Sequence, residues 1–285
     1  MNRSEVKVMH SRFKIRKRLS IFFVLLCTFF SLLPIYWMLN TSLKTTSEVY
    51  QSNPTLFPQN LTFSNYVDLF TKTGFLNGVK NSLLIALVVA SFSILVAFPA
   101  AYAVSRLRFH GKKIVSRGIL FCYLIPASVL YIPLFVILSR INLTDSIFGL
   151  MLIYPTATIP YAAWMLIPNI RSVPDTIEEA ALIDGCSRGQ VITKIVLPLT
   201  MPSIISTFIF TFGMSWGEYM YALVNINSET QKTFPLVLSG LIFGDMYPWG
   251  QLMAGGICAS VPMIITYMLL SNFLITGVTD GGVKG

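Results

Sequence analysis

Six apolar stretches dominate this chain, each near the roughly 20 residues that an α-helix needs to cross about 30 Å of hydrocarbon. They run over about Leu19–Leu39, Ser82–Val104, Gly118–Leu138, Ile147–Pro168, Pro202–Val224 and Leu252–Ile275. At 54% hydrophobic and 12% charged residues, a chain of 285 has too little polar surface to clothe a soluble globule. The expected fold class is therefore an all-α polytopic membrane protein with six transmembrane helices. Only a short link, Ser139–Ser146, parts the third and fourth stretches, so a hairpin is expected there. The implied organisation is a basic segment at 1–18, an anchor helix at 19–39, an outer segment at 40–81, a five-helix core at 82–275 with an inner loop at 172–199, and a tail at 276–285.

Basic residues mark the side that is not translocated. Arg3, Lys7, Arg12, Lys14, Arg16, Lys17 and Arg18 precede the first stretch, and Arg106, Arg108, Lys112, Lys113 and Arg117 link the second to the third. Of the 21 basic residues, all but Lys44, Lys72, Lys80, Arg140 and Lys232 fall in segments that six spans with both termini in the cytoplasm place inside. The net charge of +9 thus reflects topology rather than a nucleic-acid partner. The first stretch is too long for a signal peptide and lacks a small-x-small cleavage site, so it is expected to remain as an anchor.

Little in the sequence supports enzymatic chemistry. His10 and His110 are the only histidines, both in basic segments, and the four cysteines, Cys27, Cys122, Cys186 and Cys258, are far apart. A metal site or a histidine-based triad has almost nothing to be built from. Gly111-Lys112-Lys113 lacks the upstream glycine of a phosphate loop, so the chain does not bind ATP in that way. The expectation is no catalytic residue, no metal and no cofactor in this chain. One carboxylate, Glu218, falls inside an apolar stretch. Intramembrane carboxylates are functional by default, although a position near the interface equally allows contact with headgroups or water. Aromatics around it, Phe210, Phe212, Trp216, Tyr219 and Tyr221, suit sugar faces or an interfacial belt. Trp216, Glu218 and Tyr219 are the candidate substrate path. Pro34, Pro99, Pro126, Pro133, Pro155, Pro160 and Pro262 lie within the stretches and suggest broken helices, which are common around translocation paths.

Between the fourth and fifth stretches stands EEAALIDGCSRGQVITKIVLPL, Glu178 to Leu199. Ser172-Val173-Pro174-Asp175 supplies helix-start signals, helical spacing runs through Ile177, Ala180, Ala181 and Asp184, and Gly185 stands where a left-handed residue ends a helix. Ser187-x-x-Gln190 forms a capping box for a second helix, striped by Val191, Ile192, Ile195 and Val196, which Leu197-Pro198 is expected to stop. Such a helix, bend and helix fits an interfacial elbow packed under its own bundle. The other reading is a docking element, with Ala180 and Ala181 admitting a partner backbone and Glu178 or Glu179 facing a basic group.

The pattern Glu179-Ala180-Ala181, three residues, Gly185, nine residues, Ile195-Val196-Leu197-Pro198 resembles the cytoplasmic signature of the membrane subunits of ABC-type importers, with every spacing intact. Ser42-Leu43-Lys44, Asn65-Tyr66, Asn81-Ser82-Leu83, Ile183-Asp184-Gly185 and the Gly281-Gly282-Val283-Lys284-Gly285 end look like the smaller permease subunit of maltose-type sugar importers. One departure is Gly217, where that family usually has Asn.

The resemblance implies a type I ABC importer permease fold in a bacterial-type cell membrane. It implies a second homologous permease, two ATPase subunits that bind ATP and Mg, an extracytoplasmic solute-binding protein, and a sugar or oligosaccharide as cargo. By the same resemblance, coupling to the ATPase falls to Glu178, Glu179, Ala180, Ala181, Asp184, Gly185, Ile195, Leu197 and Pro198, with Val283, Lys284 and Gly285 as a tail contact. The alternatives are an ABC permease for a non-sugar solute, an ion-gradient-driven secondary transporter, and a membrane-embedded enzyme.

Overall fold

The computed structural model describes the backbone of residues 3–279 and the side chains of residues 17–271. Among these residues the architecture is helical: α1 (Arg3–Ser42), α2 (Thr46–Val49), α3 (Ser64–Lys72), α4 (Phe75–Arg106), α5 (Lys112–Leu124), α6 (Ala127–Arg140), α7 (Ile147–Ile153), α8 (Pro155–Ser172), α9 (Asp175–Ile183), α10 (Arg188–Val191), α11 (Leu197–Trp216), α12 (Met220–Asn225), α13 (Phe234–Ser239) and α14 (Trp249–Thr279). Among the described residues five helical segments are long and apolar enough to span: Lys17–Ser42, Phe75–Arg106, Ile147–Ser172, Arg188–Trp216 and Trp249–Ser271.

The third apolar stretch is not a straight span. Its two halves, α5 and α6, meet at 95°, and they make a sixth span only if that bent pair is counted as one. Pro126 causes the bend: it offers no N–H to the preceding turn, and its ring pushes Ile125 out of helical geometry to φ −65°, ψ 122°. Most of the other prolines are absorbed. Pro34, Pro99, Pro133, Pro160 and Pro262 sit inside helices, and Pro155 opens α8, where the missing N–H costs nothing.

The fifth span also departs from its expected bounds. It starts at Arg188 instead of Pro202 and ends at Trp216 instead of Val224. Leu197-Pro198 does not stop it. A π-helical turn over Ile192–Val196 widens the helix ahead of Pro198, and the Leu197 N–H donates to the Ile192 carbonyl. That wider turn accommodates the proline where a regular turn would set its ring against the Lys194 carbonyl. Further along, the hydroxyls of Thr200, Thr207, Thr211 and Ser215 donate to the carbonyls of Val196, Ser203, Thr207 and Thr211 at 2.7–3.0 Å. The span therefore carries hydroxyls without leaving them unsatisfied.

The chain divides into two compact units. One comprises the chain up to Lys72 with Phe243–Cys258, the other Thr73–Ile242 with the chain from Ala259. In the first, buried Asn65 donates to the carbonyls of Ser42 and Lys44 at 2.9 and 2.8 Å, and the Ser42 and Tyr66 hydroxyls bond at 2.8 Å. The Glu48 carboxylate accepts from Thr55 Oγ1 at 2.6 Å and from the Gln59 N–H at 2.9 Å, which holds it below the usual carboxylate range.

The second unit has two apolar cores. One joins Ala97, Ala101 and Tyr102 of α4, Ala162, Ala163 and Leu166 of α8, Ala181 of α9, and Val191, Val196 and Ile204. Alanines facing each other across α4 and α8 let the two backbones approach closely. The other core joins Ile85 and Val89 of α4 to Leu138, Leu150, Ile153, Tyr154, Tyr221, Ala222 and Leu236.

Candidate functional site

The segment after α8 folds as two capped helices about a bend. Asp175 and Glu178 in the first turn of α9 oppose the helix dipole, and Pro174 occupies the capping position. Ser172 is not the cap: its hydroxyl donates back to the Asn169 carbonyl at the end of α8. At the other end Gly185 has φ +88°, its N–H donates to the Leu182 carbonyl at 3.2 Å, and the Cys186 N–H donates to the Ala181 carbonyl at 3.0 Å. This pair of bonds is a Schellman motif, which satisfies α9 carbonyls that would otherwise be orphaned. Immediately afterwards Ser187 Oγ accepts from the Gln190 N–H at 3.3 Å and Gln190 Oε1 accepts from the Ser187 N–H at 2.8 Å, closing the capping box.

A buried ionic clamp seats α9 on α4. Arg106 Nε lies 2.6 Å from Glu178 Oε1, with both side chains only 10% exposed. The Tyr102 hydroxyl donates to Glu178 Oε2 at 2.9 Å, and the Arg106 guanidinium also donates to the carbonyls of Ile170 and Val173. Asp175, itself 71% exposed, adds a contact to Arg106 at 2.7 Å. One guanidinium thus holds the end of α8 and the first turn of α9 together.

The clamp sorts the residues of the 172–199 segment. Glu178 and Ala181 are turned inward, one onto Arg106 and the other into the core. Glu178 and Ala181, which the sequence reading offered to a partner, face the bundle in this chain. Glu179, Ala180, Asp184, Gly185 and Pro198 are exposed, while Ile195 and Leu197 are partly covered against the core. Ile183, absent from the expected contacts, is 86% exposed, and Leu182 is 40% exposed. The exposed surface of α9 therefore combines apolar side chains with carboxylates. Arg106 and Tyr102 were also missed, because a basic residue at the end of a span reads as a topology signal. Val283, Lys284 and Gly285 lie outside the described residues.

The aromatic path splits in a similar way. Trp216 is buried, stacks on Phe212 at 6.1 Å between ring centroids, meets Phe234 at 4.6 Å, and donates its indole N–H to the Ala259 carbonyl at 3.0 Å. Its polar atom is satisfied and its ring packs in the core. Tyr219 packs, partly buried, beside the second core. Glu218 is not within the span helix. It stands in the break between α11 and α12, where its carboxylate accepts from the N–H groups of Tyr221 at 2.9 Å and Ala222 at 3.3 Å. Glu218 opens onto a cavity of about 130 Å³ lined by Tyr131, Tyr154, Thr158, Met214, Ser215 and Tyr221 among others.

The rest of the resemblance has a structural basis. Ser42, Lys44, Asn65 and Tyr66 form the knot of the first unit, while Asn81 donates to the carbonyls of Thr230 and Lys232 and Ser82 Oγ accepts from the Phe234 N–H.

Residues 92–280 match the family model described as "Binding-protein-dependent transport system inner membrane component". The inner membrane ABC transporter permease protein YcjP of Escherichia coli is 35% identical over 257 residues, covering 90% of this chain and 92% of that one. The diacetylchitobiose uptake system permease protein DasC of Streptomyces coelicolor is 32% identical over 255 residues, covering 88% and 91%. Among solved structures, a chain of a bacterial ABC transporter involved in the import of the acidic polysaccharide alginate superposes with a TM-score of 0.74 at 22% identity, over 95% of this chain and 98% of that chain.

Proposed function

The chain belongs to the inner membrane components of binding-protein-dependent transport systems, and on that premise we propose that it carries a neutral sugar or oligosaccharide, with both termini in the cytoplasm. Of its relatives, one is named as an inner membrane ABC transporter permease and another as the permease of a diacetylchitobiose uptake system. A second homologous permease completes the translocation path in this reading, an extracytoplasmic binding protein delivers the sugar, and two ATPase subunits hold ATP and Mg. The 172–199 segment then faces the ATPase. Closure of the ATPase dimer pushes on the exposed surface of α9, at Glu179, Ile183 and Asp184, and the movement passes through the Arg106–Glu178 clamp to α4. The path alternates between inward- and outward-facing states. Val283–Gly285 are assigned to the same interface on the family resemblance alone.

The observation that carries this reading is the division of labour in α9. Glu178, with Asp175, ties its first turn to the bundle through Arg106, while Glu179 is exposed outside that clamp, as a lever with one fixed end requires. Reconstitution of the complex in vesicles tests it. Sugar-loaded binding protein should stimulate ATP hydrolysis, and uptake should need ATP and survive collapse of the proton and sodium gradients. Uptake that persists without ATP and fails with the gradient would overturn it.

A further inference from the structure

The cavity beside Glu218 holds polar groups that the fold itself does not use. Two N–H bonds from α12 fix the carboxylate, the Met220 N–H and the Tyr154 hydroxyl lie beside it, and among the described residues no basic side chain pairs with it. Tyr154 and Tyr221 are each only 2% exposed, and neither hydroxyl has a hydrogen-bond partner. The Tyr154 hydroxyl faces the Glu218 carboxylate, its nearest acceptor, without the geometry of a full hydrogen bond. Buried hydroxyls left unpartnered by the protein are costly and rare, and where they line a cavity it is water or a ligand that satisfies them.

The chemistry of the lining narrows what that partner is. A cation would satisfy the carboxylate, yet it offers nothing to the tyrosine O–H donors. A hydroxyl group does both, donating to the carboxylate and accepting from a phenol. Tyr131, set edge-to-face on Tyr221 at 4.6 Å, and Met214 supply apolar wall for the C–H face of a ring. With about 130 Å³, the cavity has room for about four waters, enough for the edge of one sugar ring and too little for a disaccharide. We propose that Glu218, Tyr154 and Tyr221 form a hydroxyl-binding subsite in the translocation path, which grips one end of a neutral sugar as it passes. This rests on the sugar-permease reading above.

The test is ATP-driven uptake by the reconstituted full complex, with diacetylchitobiose, maltose and trehalose as probes, for the native chain and for Glu218→Ala, Glu218→Gln, Tyr154→Phe and Tyr221→Phe. The phenylalanines keep the rings that pack in the core, and glutamine keeps a carbonyl acceptor. Glu218→Ala should lower the maximal uptake rate of the transported sugar by about tenfold or more, the effect of losing a hydrogen bond to a charged group. Glu218→Gln should restore much of that loss. Each phenylalanine should slow uptake several-fold and change the preference among the three sugars. Equal uptake by all four variants would overturn the subsite and leave the permease reading standing. Glutamine as damaging as alanine, together with a sodium requirement, would also overturn it, in favour of a cation site. No uptake of any sugar by the native complex would overturn the sugar reading and the subsite together.

Discussion

Arg106 Nε and Glu178 Oε1 stand 2.6 Å apart, across the junction between the end of α4 and the first turn of α9. A charge pair this well buried is costly to form, and replacing both partners with apolar groups of similar size is often neutral. Removing one partner is different, because the other is left charged and unsatisfied.

Arg106→Met should therefore destabilise the protein by about 3–5 kcal/mol, and Glu178→Leu by a similar amount. The double variant should recover much of the loss in thermal unfolding of the purified complex. Its coupling should not recover, since an apolar pair holds α9 without the directional bonds to the Ile170 and Val173 carbonyls. Arg106→Lys is not conservative here, because one ammonium does not reproduce the spread of the guanidinium.

Gly185 tests the bend. Nothing lies within 4 Å of where a Cβ would stand, so a substitution meets no wall and the whole cost lies in the backbone at φ +88°. Gly185→Val should cost roughly 1–2 kcal/mol and uncouple ATP hydrolysis from uptake, whereas Gly185→Asn should be milder because Asn tolerates the left-handed region. Hydrolysis and uptake measured on the same vesicles read the ratio directly.

Two further glycines make a steric contrast. A Cβ at Gly149 would sit 2.1 Å from the Leu143 carbonyl oxygen, and backbone does not yield cheaply. Gly149→Ala should destabilise by about 1–3 kcal/mol. At Gly118, inside α5, a Cβ meets nothing, and Gly118→Ala should stabilise by up to about 1 kcal/mol. Melting temperatures of the two variants should move in opposite directions.

Asp145, in the link between α6 and α7, carries a pH dependence. The Ser228 hydroxyl, then the N–H groups of Ser228 and Asn227, hold its carboxyl below the usual range. A carboxyl depressed in the folded state is protonated first in the unfolded chain. Its stabilisation is therefore complete above about pH 4 and is lost as pH falls through the lower folded pKa. Asp145→Asn should flatten the acid limb of a melting-temperature profile, and Ser228→Ala should shift that limb to higher pH.

The sequence made the apolar stretches, the Gly185 bend and the capping box legible, because each rests on local chemistry: a run of side chains, one left-handed residue, one reciprocal pair. Tertiary context decided the rest. Pro126 and Pro198 have the same ring and the same missing N–H, yet one bends its helix by 95° and the other follows a π turn within a continuous span. Trp216 and Glu218 looked like neighbours on one path, but the break after Trp216 sends the indole into the core and the carboxylate into a cavity. In α9 the adjacent Glu178 and Glu179 could not be told apart, because only the three-dimensional position of Arg106 separates them.

The affinity of the ATPase subunits for the membrane complex carrying Glu179→Ala tests that separation most directly. Glu179 is exposed and outside the clamp, so its loss should leave the melting temperature of the membrane complex unchanged while weakening ATPase association by about 2–5 kcal/mol. Unchanged affinity with normal uptake would contradict the assignment of α9 as the surface through which this permease is driven.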